Sequence, residues 1–216
     1  MAPDDTSGSK SERLQILLAV LLGAAALATA WAAYRGELYS GDSVILLNRS
    51  TQTSDRASQA FNAAETVFQQ DVQLFTQFAI GAQRKSDENI TAYIKESLMR
   101  PELKKQVEWW ADTPDNVETP FVKQDPFYVP PSQNKTGVQL REKAAAEFKR
   151  ARTLDDAGDE YVLYTVLFAA SLFLYGIASV ASSRKVLYAS MGTGAVLFVF
   201  AAILMIGTTA DAPKLL

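Results

Sequence analysis

Two chemically versatile residues are missing from this chain: it has no histidine and no cysteine. Without cysteine there is no disulfide to staple an exported domain and no thiolate nucleophile, so every folded part must hold together by packing. Without histidine the commonest general base near neutral pH is gone, and with both absent so are the usual soft and borderline metal ligands. Asp155, Asp156, Asp159 and Glu160 form an acidic run, but it lacks the spacing of an EF-hand loop. The GTG at Gly192–Gly194 lacks a Walker lysine and lies in an apolar segment, so it is no phosphate loop. These absences point away from an enzyme. No catalytic, metal-binding or cofactor-binding residue is assigned, no cofactor is expected, and no nucleic-acid partner is expected.

Charge is also missing from three stretches. The mean hydropathy of the whole chain is near zero, at -0.01. That average hides the windows Leu14–Ala33, Tyr161–Ala181 and Val186–Ile206, none of which holds an ionisable acid or base of the Asp, Glu, Lys or Arg type. Each is about 20 residues, the length a helix needs to cross roughly 30 Å of hydrocarbon. Lipid leaves backbone polar groups no partner outside the segment, so the windows are expected to be transmembrane helices over 14–34, 161–181 and 186–207. The first has a basic flank in Lys10 and Arg13 and ends in small residues, features shared with cleaved signal peptides. Its apolar run is longer than a signal core and finishes at Trp31 and Tyr34, interface residues, so a retained anchor is expected.

The connection 182–185 reads Ser-Ser-Arg-Lys, and its two cations belong on the cytoplasmic side. Three crossings then place the tail 1–13 in the cytoplasm, with residues 35–160 and the tail 208–216 outside it. A prokaryotic plasma or inner membrane is the expected location. The insertion 35–160 has 16 Lys or Arg against 20 Asp or Glu, a net of −4. Sequons at Asn48, Asn89 and Asn134 occur within it, a pattern common by chance.

The insertion reads as helical. Gly36 and Gly41 permit a break after the first span, leaving 36–54 ambiguous. From Asp55 to Gln83 the reading is firmer, because Phe61, Phe68, Phe75 and Ala82 recur every seven residues. Gln70 and Asp71 interrupt this stripe, so it is not an ideal zipper. Its expected partner is 138–160, where Ala145, Phe148, Ala151 and Leu154 fall at helical spacing; Phe61, Phe68, Phe75, Phe148 and Leu154 are the expected arm-packing residues. Between the arms, Ser86 precedes an acidic turn and then Ile90, Tyr93, Ile94 and Leu98, a short-helix pattern. Pro101 opens a second short helix with Leu103, Val107 and Trp110 on one face. Five of the eight prolines lie between Thr113 and Ser132, which forbids a continuous helix there. The fold class is therefore all-α, with three transmembrane helices and a helical-hairpin extracytoplasmic domain under a proline-aromatic cap.

Trp109, Trp110, Phe121, Phe127 and Tyr128 gather in that cap. Large side chains of this kind anchor protein interfaces, and they also seal the tips of small domains by burying one another. Both readings stand. In the spans, Gly23, Ala26, Ala30 and Ala33 form one small-residue track and Ser190 with Gly194 a small-xxx-small pair, which suit close packing within the chain or between copies.

The segments WAAYRGELYSGD at Trp31–Asp42, DVQLFTQF at Asp71–Phe78 and DEYVLYTVLFAASLFLYGIAS at Asp159–Ser179 resemble a group of uncharacterised prokaryotic three-span membrane proteins with a long helical extracytoplasmic insertion. The resemblance implies one integrated architecture over Leu14–Ile206 and brings no active site. The leading expectation is a non-enzymatic membrane scaffold or accessory subunit. Its partners would be the lipid bilayer and either copies of itself, as a homo-oligomer, or another membrane or envelope protein. Alternatives are an oligomeric channel or small-solute transport component lined by Thr165, Ser171 or Thr193, and an extracytoplasmic sensor needing a separate output partner.

Overall fold

The computed structural model describes residues 6–84, 88–113, 117–211 and 214–215. Their regular structure is helical throughout. Helix α1 spans Thr6–Ala82, 77 residues without interruption. Helix α2, Glu88–Tyr93, runs into a π-helical turn at Ile94–Leu98. Helix α3 is Pro101–Asp112, α4 is Lys135–Val180, and α5 is Arg184–Asp211; a 3-10 turn at Pro131–Gln133 precedes α4. Three of these, α1, α4 and α5, are long and apolar enough to cross a membrane. The expected N-cap Ser86 lies outside the described residues.

By compactness the chain divides into one unit of residues 1–49 and 146–216 and a second of residues 50–145. The stretches 35–49 and 146–160 therefore group with the apolar windows and not with the rest of the insertion. In the first unit, Leu18, Ala25, Ala32, Tyr39 and Leu46 are all buried and fall at every seventh residue of α1. From α4, Ala151, Leu154, Ala157, Tyr161, Tyr164 and Phe168 join the core, with Ala201 from α5.

The ambiguity over 36–54 resolves as continuous helix, since neither Gly36 nor Gly41 breaks α1. Gly36 serves a close crossing instead. A Cβ there would stand 3.4 Å from Tyr161 Cβ and 3.5 Å from the Gly158 carbonyl oxygen, and a Cβ on Gly158 would stand 3.4 Å from the Ser40 nitrogen. Each helical glycine costs about 1 kcal/mol relative to alanine, which the approach of the two backbones offsets. A polar collar sits beside this crossing. Tyr39 and Tyr161 stack at 5.5 Å, and the Arg35 guanidinium lies 5.0 Å from the Tyr39 ring centre while donating to its hydroxyl at 2.8 Å. On α5, Thr208 donates to Glu160 Oε2 at 2.7 Å, and Thr209 shares a 3.0 Å hydrogen bond with Tyr161. Tyrosines with buried apolar bodies and hydroxyls hydrogen-bonded to polar side chains suit the end of an apolar window.

The connection between α4 and α5 is shorter than the sequence suggests, because Arg184 and Lys185 already belong to the first turn of α5. Phe148 corrects the expected α4 stripe. It is 48% exposed and Ala145 is exposed too, whereas Ala144, Ala151, Leu154 and Ala157 are buried. Residues 145 and 148 each lie one position, about 100° of helix, beyond 144 and 147, which turns them out of the seam.

Candidate functional site

The second unit is built on the middle and end of α1. Ser50 donates its hydroxyl to the Ala144 carbonyl at 2.9 Å, joining α1 to the first turns of α4. Phe61 lies across Gly137, so closely that a Cβ on that glycine would sit 2.6–2.8 Å from three ring carbons. The stripe then leaves α4. Phe68 and Phe75 pack on the cap, not on the 138–160 helix as the sequence spacing suggests. Phe75 meets Trp110 edge-on at 5.1 Å and Phe121 at 5.7 Å, and Phe121 also meets Phe68 at 5.4 Å. Tyr128 closes the cluster 6.3 Å from Phe121. Edge-to-face contacts of this kind add about 0.5–1.5 kcal/mol to the area they bury. Beneath them, Ile94, Met99, Leu103 and Val107 form the floor with Phe75. Leu103 and Val107 share a buried α3 face as expected, while Ile90, Tyr93 and Leu98 do not: all three are exposed, and Ile94 alone of that pattern turns inward.

Asp71 interrupts the stripe because it has a task. On α1 it follows buried Ala57 and half-buried Ala64 at seven-residue spacing, and it is itself only 4% exposed. Arg100 reaches it from the residue before Pro101, where the proline keeps the arginine backbone extended (φ −67°, ψ 158°). The guanidinium donates from Nε to both carboxylate oxygens at 3.0 and 2.9 Å and from Nη2 to Oδ2 at 2.6 Å. Its Nη1 donates to Glu102 at 3.2 Å. The hydrogen bond to Asp71 holds the guanidinium pKa above its ordinary value. Glu102 is held below the usual carboxylate range, first by its own backbone amide and then by Arg100.

This pair lies in the wall of a cleft of about 490 Å³. Ala60, Ala63, Ala64 and Phe68 supply the α1 side, and Phe121, Tyr128 and Pro130 the other. The cleft is shaped by a turn at 125–128. Asp125 Oδ1 accepts the Phe127 N–H at 2.8 Å, and Gln106 Nε2 donates to the Phe127 carbonyl at 3.0 Å. Asp125 Oδ2 and Gln106 Oε1 are buried without a hydrogen-bond partner. Burial pushes the Asp125 carboxyl above its usual value, against the opposing pull of the Phe127 amide.

The five cap aromatics thus divide. Trp110, Phe121 and Tyr128 join the interior cluster, with the Trp110 indole donating to the Val117 carbonyl at 2.8 Å. Trp109 and Phe127 flank a different, shallow depression with Lys105, Glu108 and Asp112, and Phe127 is 46% exposed. In the first unit the small residues divide as well. Gly23, Ala26 and Ala30 are exposed, and nothing lies within 4 Å of a Cβ on Gly23. Gly194 is instead buried under Tyr175, where an added Cβ would stand 2.9 Å from a ring carbon, and Ser190 is half-buried. Sequence reasoning named neither Arg100, Gln106 nor Asp125; the legible signal was a lone carboxylate standing in line with small seam residues. Compared with family models, curated proteins and solved structures, the chain matches none.

Proposed function

We propose that this protein is a non-enzymatic membrane scaffold or accessory subunit that associates with copies of itself through its first span and presents the second unit outside the cytoplasm. The observation that carries the reading is the exposed track Gly23, Ala26 and Ala30, which packing within the chain leaves unused. Small residues let two helix backbones approach closely in lipid, where van der Waals contact replaces the hydrophobic effect as the drive for association. The exposed Phe127 and the half-buried Trp109 beside it offer a second contact for an envelope protein. Arg184 and Lys185 at the start of α5 support a cytoplasmic end there and an exported second unit.

The experiment is mass measurement of the protein in native nanodiscs, with every copurifying chain identified. An oligomer that Gly23→Leu with Ala26→Leu converts to monomer supports the reading. A strictly monomeric, partner-free wild type sinks it. The sensor alternative draws support from the cleft over Asp71 and Arg100. A channel has less in its favour, since Thr165 and Ser171 spend their hydroxyl hydrogens on carbonyls of their own helix at 2.9 Å.

A further inference from the structure

We infer that the cleft of the second unit is a binding site for a neutral, flat small molecule bearing a carbonyl oxygen, which Arg100 receives. The inference goes beyond the scaffold reading and stands without it; it would supply the sensor alternative with its ligand chemistry.

A cavity of about 490 Å³ falls within the range that encloses small ligands. Its lining sets the chemistry. Among the described residues lining it, Asp71 and Arg100 alone are charged, and they cancel. A charged ligand would bring an uncompensated charge into a space whose own charges are already paired, so a neutral one is favoured. The Asp71 carboxylate is only 5% exposed on its side chain and accepts three hydrogen bonds from the guanidinium, whereas the Arg100 side chain is 39% exposed. Of the five N–H groups of Arg100, Nε, one on Nη2 and one on Nη1 are engaged, which leaves two. The site's remaining polar capacity at the pair is therefore donor capacity, and it calls for an acceptor. Asp71 fixes the plane of the guanidinium, the service that an orienting carboxylate performs for a binding group. Phe68, Phe121 and Tyr128 provide aromatic walls for a planar body, and Pro130 and Pro131 a stiff rim.

A charged pair in this position is not explained by stability alone, because an apolar pair of like volume would serve as well or better.

The test uses three isosteric probes on the full chain in lipid nanodiscs: benzamide, benzoate and benzamidinium. Ligand-observed saturation-transfer NMR, with empty nanodiscs as blank, gives their dissociation constants. Benzamide should bind at least tenfold more tightly than either ion. Preference for benzoate, preference for benzamidinium, or no discrimination overturns the inference. Because Arg100 variants also disturb the ion pair, the location is tested with Ala63→Phe, which adds bulk at an exposed residue of the cleft more than two helical turns along α1 from Asp71. Benzamide affinity should fall at least tenfold while hydrogen-exchange protection of α3 stays at its wild-type level. Unchanged benzamide affinity in that variant places the binding elsewhere and refutes the site.

Discussion

Removing Arg100 should damage the second unit far more than removing the residue it holds. The two partners sit in unequal surroundings: the Asp71 side chain is 5% exposed and that of Arg100 is 39% exposed. In Arg100→Met the carboxylate loses all three of the arginine hydrogen bonds and remains buried as a charge. Breaking a buried pair from one side costs about 3–5 kcal/mol, and partial solvation of the arginine end argues for about 3. In Asp71→Ala the guanidinium keeps Glu102 and turns its exposed part to water, so the loss should be about 1–2 kcal/mol, much of it packing. The double variant Asp71→Leu, Arg100→Met should recover most of the difference, because no uncompensated charge is left. Hydrogen-exchange mass spectrometry on the full chain in nanodiscs reads these energies at the amides of α3, which packs on Phe75 through Leu103 and Val107. A loss of about 3 kcal/mol corresponds to a protection factor lowered roughly 150-fold at 1.4 kcal/mol per tenfold. Equal losses for the two single variants, or a double variant as damaged as Arg100→Met, would refute the argument from unequal burial.

Gly137→Ala should destabilise the α1–α4 contact of the second unit by about 1–3 kcal/mol, since its Cβ would meet the Phe61 ring at 2.6–2.8 Å; adding Phe61→Ala should return most of the exchange protection around Ser50, and additive losses would contradict the clash. Asp125 carries a pH signature. Its folded carboxyl titrates above its unfolded value, so the folded state binds the extra proton in that interval and the wild type loses stability as pH rises through the raised value. The stability of wild type relative to Asp125→Asn should therefore fall between the ordinary aspartate range and that raised value and be flat above it; a relative stability that rises with pH in this interval would oppose the burial argument.

The cap shows why spacing alone misassigned a partner. The seven-residue recurrence of Phe61, Phe68 and Phe75 was legible, and it correctly marks one face of α1. What covers a stripe depends on where the rest of the chain travels, and here Gly137 brings α4 to Phe61 while Phe121 and Tyr128 return from the proline segment to Phe68. Phe148 fails for the converse reason: its spacing to Ala151 and Leu154 suits a helix, but the buried line of α4 runs one residue over.

Three apolar helices, the helical character of the insertion and the position of its proline-aromatic cap can be read from the chain one segment at a time. Those follow from local rules, since lipid demands closed backbone hydrogen bonding and proline denies it to a helix. That Gly36 marks a crossing and not a break, that Gly23, Ala26 and Ala30 face outward, and that Asp71 meets Arg100 under an aromatic cleft emerge from the folded arrangement. Each of these depends on which residue distant in the chain arrives at a given face, and side-chain spacing along one helix carries no information about that arrival.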